Sequence, residues 1–253
     1  MSAAVPVVLL HCARASRTMW RPQTDALQRR GRPALAIDLP GHGRRAGERF
    51  TVAGLLDAID DAVELVGGRA VLVGLSLGGY LGIAHAARRP EQVAGLVAAG
   101  CSSIPDQPAT SVWLLAARAL ARLPDKGAWF NRKAVDLALR PDMAAVVAEG
   151  GFALEVMVDL LREVRRTDPV EDLRLIRCPV WLVNGQWDHF RGQAGVFRRA
   201  APDTRIVTVR GASHLVSLVR PVAFNRVLLA ALDEVDELEG SAQSPVGRSR
   251  GPA

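Results

Sequence analysis

The hexapeptide Gly74-Leu75-Ser76-Leu77-Gly78-Gly79 puts a hydroxyl where it could attack a carbonyl carbon. Ala70–Gly74 reads as a buried strand and Leu77–Arg89 as a helix, so Ser76 falls on the turn between them. A serine on so sharp a turn projects its hydroxyl from the sheet edge, provided the residues two before and two after lack side chains. Gly74 and Gly78 meet that condition, and Gly79 lets the helix lie close to the strand. Strain of this kind costs about 1–3 kcal/mol and persists only where the surroundings enforce it. A serine hydroxyl is a weak nucleophile near neutral pH and needs an adjacent base. Five histidines are available. His85 lies mid-helix, His11 ends a strand, His42 sits in a glycine turn, His189 follows Asp188 directly, and His214 lies in a loop after a late strand. A carboxylate to orient the base could come from Asp188, Asp106 or Asp38.

Such groups need a rigid frame. Short apolar runs at Val5–Leu10, Ala34–Asp38, Ala70–Gly74, Val93–Ala99, Val180–Asn184 and Thr204–Val209 have the Val/Leu/Ile content of strands buried on both faces. They alternate with helical patterns at Met19–Arg30, Val52–Val66, Leu77–Arg89 and Pro221–Leu238, the signature of β-α-β units. The expected fold class is α/β: a mostly parallel sheet of about six or more strands, with right-handed crossovers placing helices on both faces. Between the fourth and fifth strands lie roughly 80 residues, too many for an ordinary crossover. Ser111–Leu123, Gly127–Leu139 and Phe152–Arg166 read as helices there, separated by Pro105, Pro108, Pro124 and Pro141. The expected organisation is a core domain of residues 1–103 and 174–239 with a helical cap, 104–173, inserted in it. The polar Gly/Ser/Pro-rich tail, 240–253, is expected to be disordered.

These motifs resemble the α/β-hydrolase-fold superfamily, in its capped serine-hydrolase form, over about residues 5–235. Leu10-His11 with Trp20 resembles the family's His-Gly segment, and Asp38-Leu39-Pro40-Gly41-His42-Gly43 its D-x-P-G-H-G turn. Gly185-Gln186-Trp187-Asp188 resembles its acid loop and Gly211-Ala212-Ser213-His214 its histidine loop. The resemblance implies the chain order nucleophile, acid, base, hence Ser76, Asp188 and His214. It implies a structural hydrogen bond for His42 and a loop-shaping role for His11. It also implies an oxyanion hole built from the backbone N–H groups of Leu77 and Ala13. The chain departs from the pattern at Cys12, where the family usually has glycine. Cys12 is strained there if the loop needs positive φ, and the donor could be Cys12 or Ala13. Serine at position 76 argues against branches that use aspartate, such as haloalkane dehalogenases and epoxide hydrolases.

The chemistry expected is attack by Ser76, proton transfer to His214, and hydrolysis of the acyl-enzyme by water. The substrate expected is a small to medium, largely apolar carboxylic ester, with thioester or C–C cleavage as related options. Trp20, Leu75 and Trp187, in loops at the site, are expected to wall the pocket, together with Trp113 and Trp129 from the cap. The alternatives are a lyase or acyltransferase using the same triad, or a ligand-binding protein with a dormant one. No cofactor or metal is called for. Cys12, Cys101 and Cys178 form no CxxC pair, so neither a zinc ribbon nor a disulfide framework is expected. The net charge of +6 comes from scattered arginine pairs with one Tyr and six Phe, a solvated surface rather than a nucleic-acid face. No run of about 18 apolar residues is present, so no transmembrane helix and no membrane partner are expected. The N-terminus lacks a basic leader region, and a cytoplasmic location is expected.

Overall fold

The structure, a computed structural model, describes residues 4–201 and 203–243. Its six strands are β1 (Val7–Leu10), β2 (Ala34–Ile37), β3 (Ala70–Leu75), β4 (Val93–Ala99), β5 (Val180–Gly185) and β6 (Thr204–Val209). They form one sheet in the order β2-β1-β3-β4-β5-β6, every neighbouring pair parallel. The four inner strands are buried along their whole length, which is why their sequences are unbroken apolar runs. The edge strands β2 and β6 are only partly buried and admit residues such as Arg205 and Thr208.

Alternation along the strands splits the interior in two. Val7, Leu9, Val71 and Val73 face a core with Leu27 and Leu232. Those residues belong to α1 (Arg21–Arg29) and the last helix, Pro221–Gln243. Val8, Leu10 and Leu72 face the opposite core. There Leu55 and Ile59 of α2 (Val52–Leu65) meet Leu81 and Ile83 of α3 (Leu77–Arg88). Full burial of each such side chain contributes about 1.5–3 kcal/mol.

Five helices follow β4: α4 (Pro108–Leu120), α5 (Ala128–Ala138), α6 (Pro141–Glu149), α7 (Met157–Val164) and α8 (Pro169–Leu175). Three short or late ones complete the chain: α9 (Ala194–Ala200), α10 (Val216–Val219) and α11 (Pro221–Gln243). Several differ from expectation. Pro108 and Pro141, which read as separators in the sequence, instead open α4 and α6. Proline's fixed φ suits the first helical turn, where its missing N–H is not needed. The helix expected from Phe152 begins only at Met157, after the positive-φ glycine Gly151. Helix α8 runs across residue 173 and packs against α3. Helix α11 continues past Leu238, so residues 240–243 are helical rather than disordered, and the rest of the expected disordered tail, 244–253, lies outside the described residues. Among the described residues no helix is long and apolar enough to cross a membrane.

Candidate active site

Strand β3 delivers Ser76 on a backbone of φ 54° and ψ −112°, a conformation that costs energy for any residue with a side chain. Close packing explains the glycines around it. A Cβ on Gly74 would lie 2.1 Å from the Gly78 carbonyl oxygen, and one on Gly78 would lie 2.1 Å from that of Leu10. At Gly79 it would meet the Cys101 Sγ at 2.6 Å. The Ser76 N–H donates to the Ala99 carbonyl at 2.8 Å, tying the turn to β4.

The loops that carry Asp188 and His214 leave β5 and β6. A Cβ on Gly185 would come within 2.2 Å of the Ser213 carbonyl oxygen, so only glycine lets these loops touch. The Trp187 N–H donates to Ala212 O at 2.9 Å, and the Gly211 N–H to Gln186 Oε1 at 2.9 Å. This lacing brings His214 Nδ1 to 3.1 Å from Asp188 Oδ1, which also accepts the Phe190 N–H at 2.9 Å. A carboxylate can only accept, so Nδ1 carries the proton and Nε2 of the neutral ring is the free lone pair. Burial pushes the Asp188 carboxyl up. The His214 bond and charge, with the Phe190 N–H, outweigh that and hold it below the ordinary range.

Gly100 completes this arrangement, and the sequence motifs do not single it out. At φ +60°, a Cβ there would lie 3.2 Å from His214 Nδ1 and Cε1 and 3.3 Å from Asp188 Oδ2. The one signal in the sequence is a glycine directly ending β4. Its partner loops become visible only once folded.

Ser76, Leu77, Ala13 and His214 all line one cavity of about 330 Å³. Its apolar wall comes from the inserted helices, including Trp113, Met157, Leu160 and Val164, with Phe190 and Leu215 from the loops. Tyr80 and His189 also line it, and neither is a pocket candidate from sequence. The Tyr80 hydroxyl donates to Ser103 O at 2.8 Å. The His189 ring stacks parallel to Trp113, centroids 6.3 Å apart, and lies 5.3 Å from the His214 ring. Burial and the His214 charge both push His189 down, favouring its neutral form.

Of the five expected pocket residues, Trp113 alone lines this cavity. Leu75 shares the parity of Val71 and Val73 and is buried with them in the α1/α11 core. Trp20 is wholly buried against Phe224. Trp187 donates its backbone N–H to Ala212 O, and the residue is 70% exposed. Trp129 packs edge-on against Phe130, outside the cavity.

The rival groups are engaged elsewhere. His11 donates from Nδ1 to Cys12 O and accepts the Leu39 N–H at Nε2, and burial with the His42 charge pushes it down to about 3. His42 donates to Pro40 O, and His85 bonds Gln92. Asp38 accepts the Arg17 and Arg44 N–H groups, and Asp106 pairs with Arg165. Cys12 is not among the positive-φ residues, so it is unstrained, and its buried thiol is pushed up to about 11 by desolvation. The Cys12 N–H points to Met19 Sδ at 3.4 Å. Positive φ falls instead on Arg14, at 62°. Among the described residues no cluster of His, Cys, Asp and Glu could hold a metal ion.

Residues 7–227 match the model of the alpha/beta hydrolase family. RutD of Caulobacter sp. (strain K31), named as a candidate carbamate hydrolase, is 32% identical over 233 residues, spanning 85% of each chain. An esterase of Thermogutta terrifontis superposes with a TM-score of 0.77 at 23% identity, over 92% of this chain and 91% of its own. The enol-lactonase of Burkholderia xenovorans LB400 does so at 0.76 and 22%, over 92% of each. Those two likenesses concern the fold. The family match runs from the first strand into the last helix: this chain belongs to the alpha/beta hydrolase family.

Proposed function

We propose that this hydrolase cleaves a small to medium, largely apolar carboxylic ester through Ser76, His214 and Asp188. The observation that carries the reading is the His214–Asp188 hydrogen bond at the wall of the cavity that Ser76 also lines. His214 Nε2 takes the Ser76 proton as Oγ attacks the ester carbonyl, and Asp188 stabilises the imidazolium that forms. The N–H groups of Leu77 and Ala13, which have no partner among the described residues, receive the oxyanion. Cys12 is the weaker candidate, since its N–H is directed at Met19 Sδ. The protonated His214 then releases the alcohol, and water, deprotonated by His214, frees the acid.

The cavity volume lies at the low end of the roughly 300–1,000 Å³ usual for small-molecule sites, which favours a compact substrate. Residues 104–173 act as a cap that supplies most of its apolar wall. The test is hydrolysis of a panel of p-nitrophenyl and alkyl esters by the wild type and Ser76→Ala. Turnover that falls by about 10⁴-fold or more in the variant supports the reading. A folded Ser76→Ala protein with wild-type turnover refutes it. Ester product appearing at the expense of acid when an alcohol is added would mark an acyltransferase instead.

A further inference from the structure

Helix α4 turns its apolar face outward. From Ser111 to Leu120 its exposed positions are Val112, Trp113, Leu115, Ala116, Ala119 and Leu120, spaced as one helical stripe, and all are apolar. The stripe continues onto α5. Gly127 would place a Cβ 3.3 Å from Leu120, which brings the first turn of α5 against the last turn of α4. There Trp129 is 58% and Phe130 55% exposed, ring to ring at 4.9 Å, and Leu137, two turns along the same helix, is 90% exposed. Single exposed apolar residues are ordinary, whereas a contiguous strip across two helices marks a contact surface.

Cations outnumber acids around this strip. Residues 108–140 carry Arg118, Arg122, Lys126, Arg132, Lys133 and Arg140 against only Asp125 and Asp136. Arg122, Arg132 and Lys133 are exposed and make no ion pair among the described residues. Exposed tryptophans beside unpaired cations are the composition of helices that lie in a lipid interface.

From this we infer that α4 and α5 form a peripheral docking surface for an anionic lipid bilayer. A strip made of exposed ridges on two helices favours a bilayer over a protein partner, and the unpaired cations select anionic headgroups. The absence of a spanning helix among the described residues bears only on insertion across the bilayer, and a surface contact needs none. Trp113 belongs both to this strip and to the cavity wall, so the cavity opens beside the lipid face.

The test is co-sedimentation of the full chain with phosphatidylcholine vesicles, with and without phosphatidylglycerol, at low and high salt. Two variants accompany it, Trp129→Ala/Phe130→Ala and Arg132→Ala/Lys133→Ala, both at exposed positions outside the cavity, with circular dichroism confirming their fold. Binding is expected only to the anionic vesicles, weakened by salt. Each cation near an anionic surface contributes about 1 kcal/mol, so removing Arg132 and Lys133 should weaken binding roughly 30-fold. Loss of both rings should weaken it at all salt concentrations. Failure to bind anionic vesicles, or binding that both variants leave intact, overturns the inference. So does a dimer in light scattering that dissociates in the ring variant, which would assign the strip to a second copy. Capture by an acidic protein without vesicle binding would likewise transfer it to a protein partner.

Discussion

Gly100→Ala should slow turnover while leaving the protein folded. The residue sits at φ +60°, where a side chain costs about 1–2 kcal/mol. For a chain of this size each kcal/mol lowers Tm by about 2–4 °C, so a drop of roughly 2–8 °C is expected. The added methyl would lie 3.2 Å from His214 Nδ1 and Cε1 and 3.3 Å from Asp188 Oδ2, so the pair must give by a few tenths of an ångström. A misplacement of about 1 Å can cost about 10²-fold in rate, and a few tenths therefore about four- to tenfold. Because in the proposed mechanism the displaced groups move a proton rather than hold the substrate, the loss should fall on kcat and spare KM. Gly31→Ala is the matched control, since Gly31 has φ +64° and open space around its Cβ position. It should lower Tm by a similar amount and leave kcat unchanged. Steady-state kinetics on a chromogenic ester and thermal melts of both variants decide the matter. A folded Gly100→Ala enzyme with wild-type kcat, or a loss confined to KM, would show that Gly100 does not set the position of His214 and Asp188.

Asp188→Asn should lower kcat by about 10³–10⁴-fold, because an amide that donates to Nδ1 enforces the wrong imidazole tautomer. Far-UV circular dichroism should be unchanged, and residual activity above about a tenth of wild type would contradict the assignment. His11 titrates near 3 when folded and near 6.5 when unfolded, so the unfolded chain binds the extra proton between those values. Stability from His11 is therefore complete above pH 6.5 and falls as pH drops toward 3, by several kcal/mol in order of magnitude. Urea melts across that range should show a slope that flattens in His11→Gln, and parallel slopes would dismiss the idea. Trp113→Ala should change KM for bulky esters, since it lines the cavity and stacks on His189, whereas Trp187→Ala should not. Equal effects of the two on KM would place the pocket elsewhere.

The sheet is legible in the amino-acid sequence because its inner strands are buried on both faces and so carry unbroken apolar runs. The turn at Ser76 is legible for a local reason: glycines 74, 78 and 79 are demanded by contacts close in sequence or in the adjoining strand. The pocket wall is not. Leu75 is next to Ser76 in sequence, but strand parity sends its side chain to the core, while Trp187 turns outward beside the buried Asp188. Which residues of the insert face the cavity depends on how five short helices dock, and no periodicity within one helix encodes that. Met157 and Leu160 meet the cavity only through such docking, while His189 meets it from the loop after β5. The proline-opened helix α6 escapes a reading that weighs Pro141 as a breaker rather than as a first-turn residue.

The most direct test of the central claim is to treat the protein with a fluorophosphonate probe and locate the adduct by peptide mass, beside Ser76→Ala and His214→Ala. Labelling is expected at Ser76, absent in Ser76→Ala and sharply reduced in His214→Ala. A folded protein that hydrolyses esters yet carries no adduct at Ser76, or one labelled at full rate without His214, would contradict it.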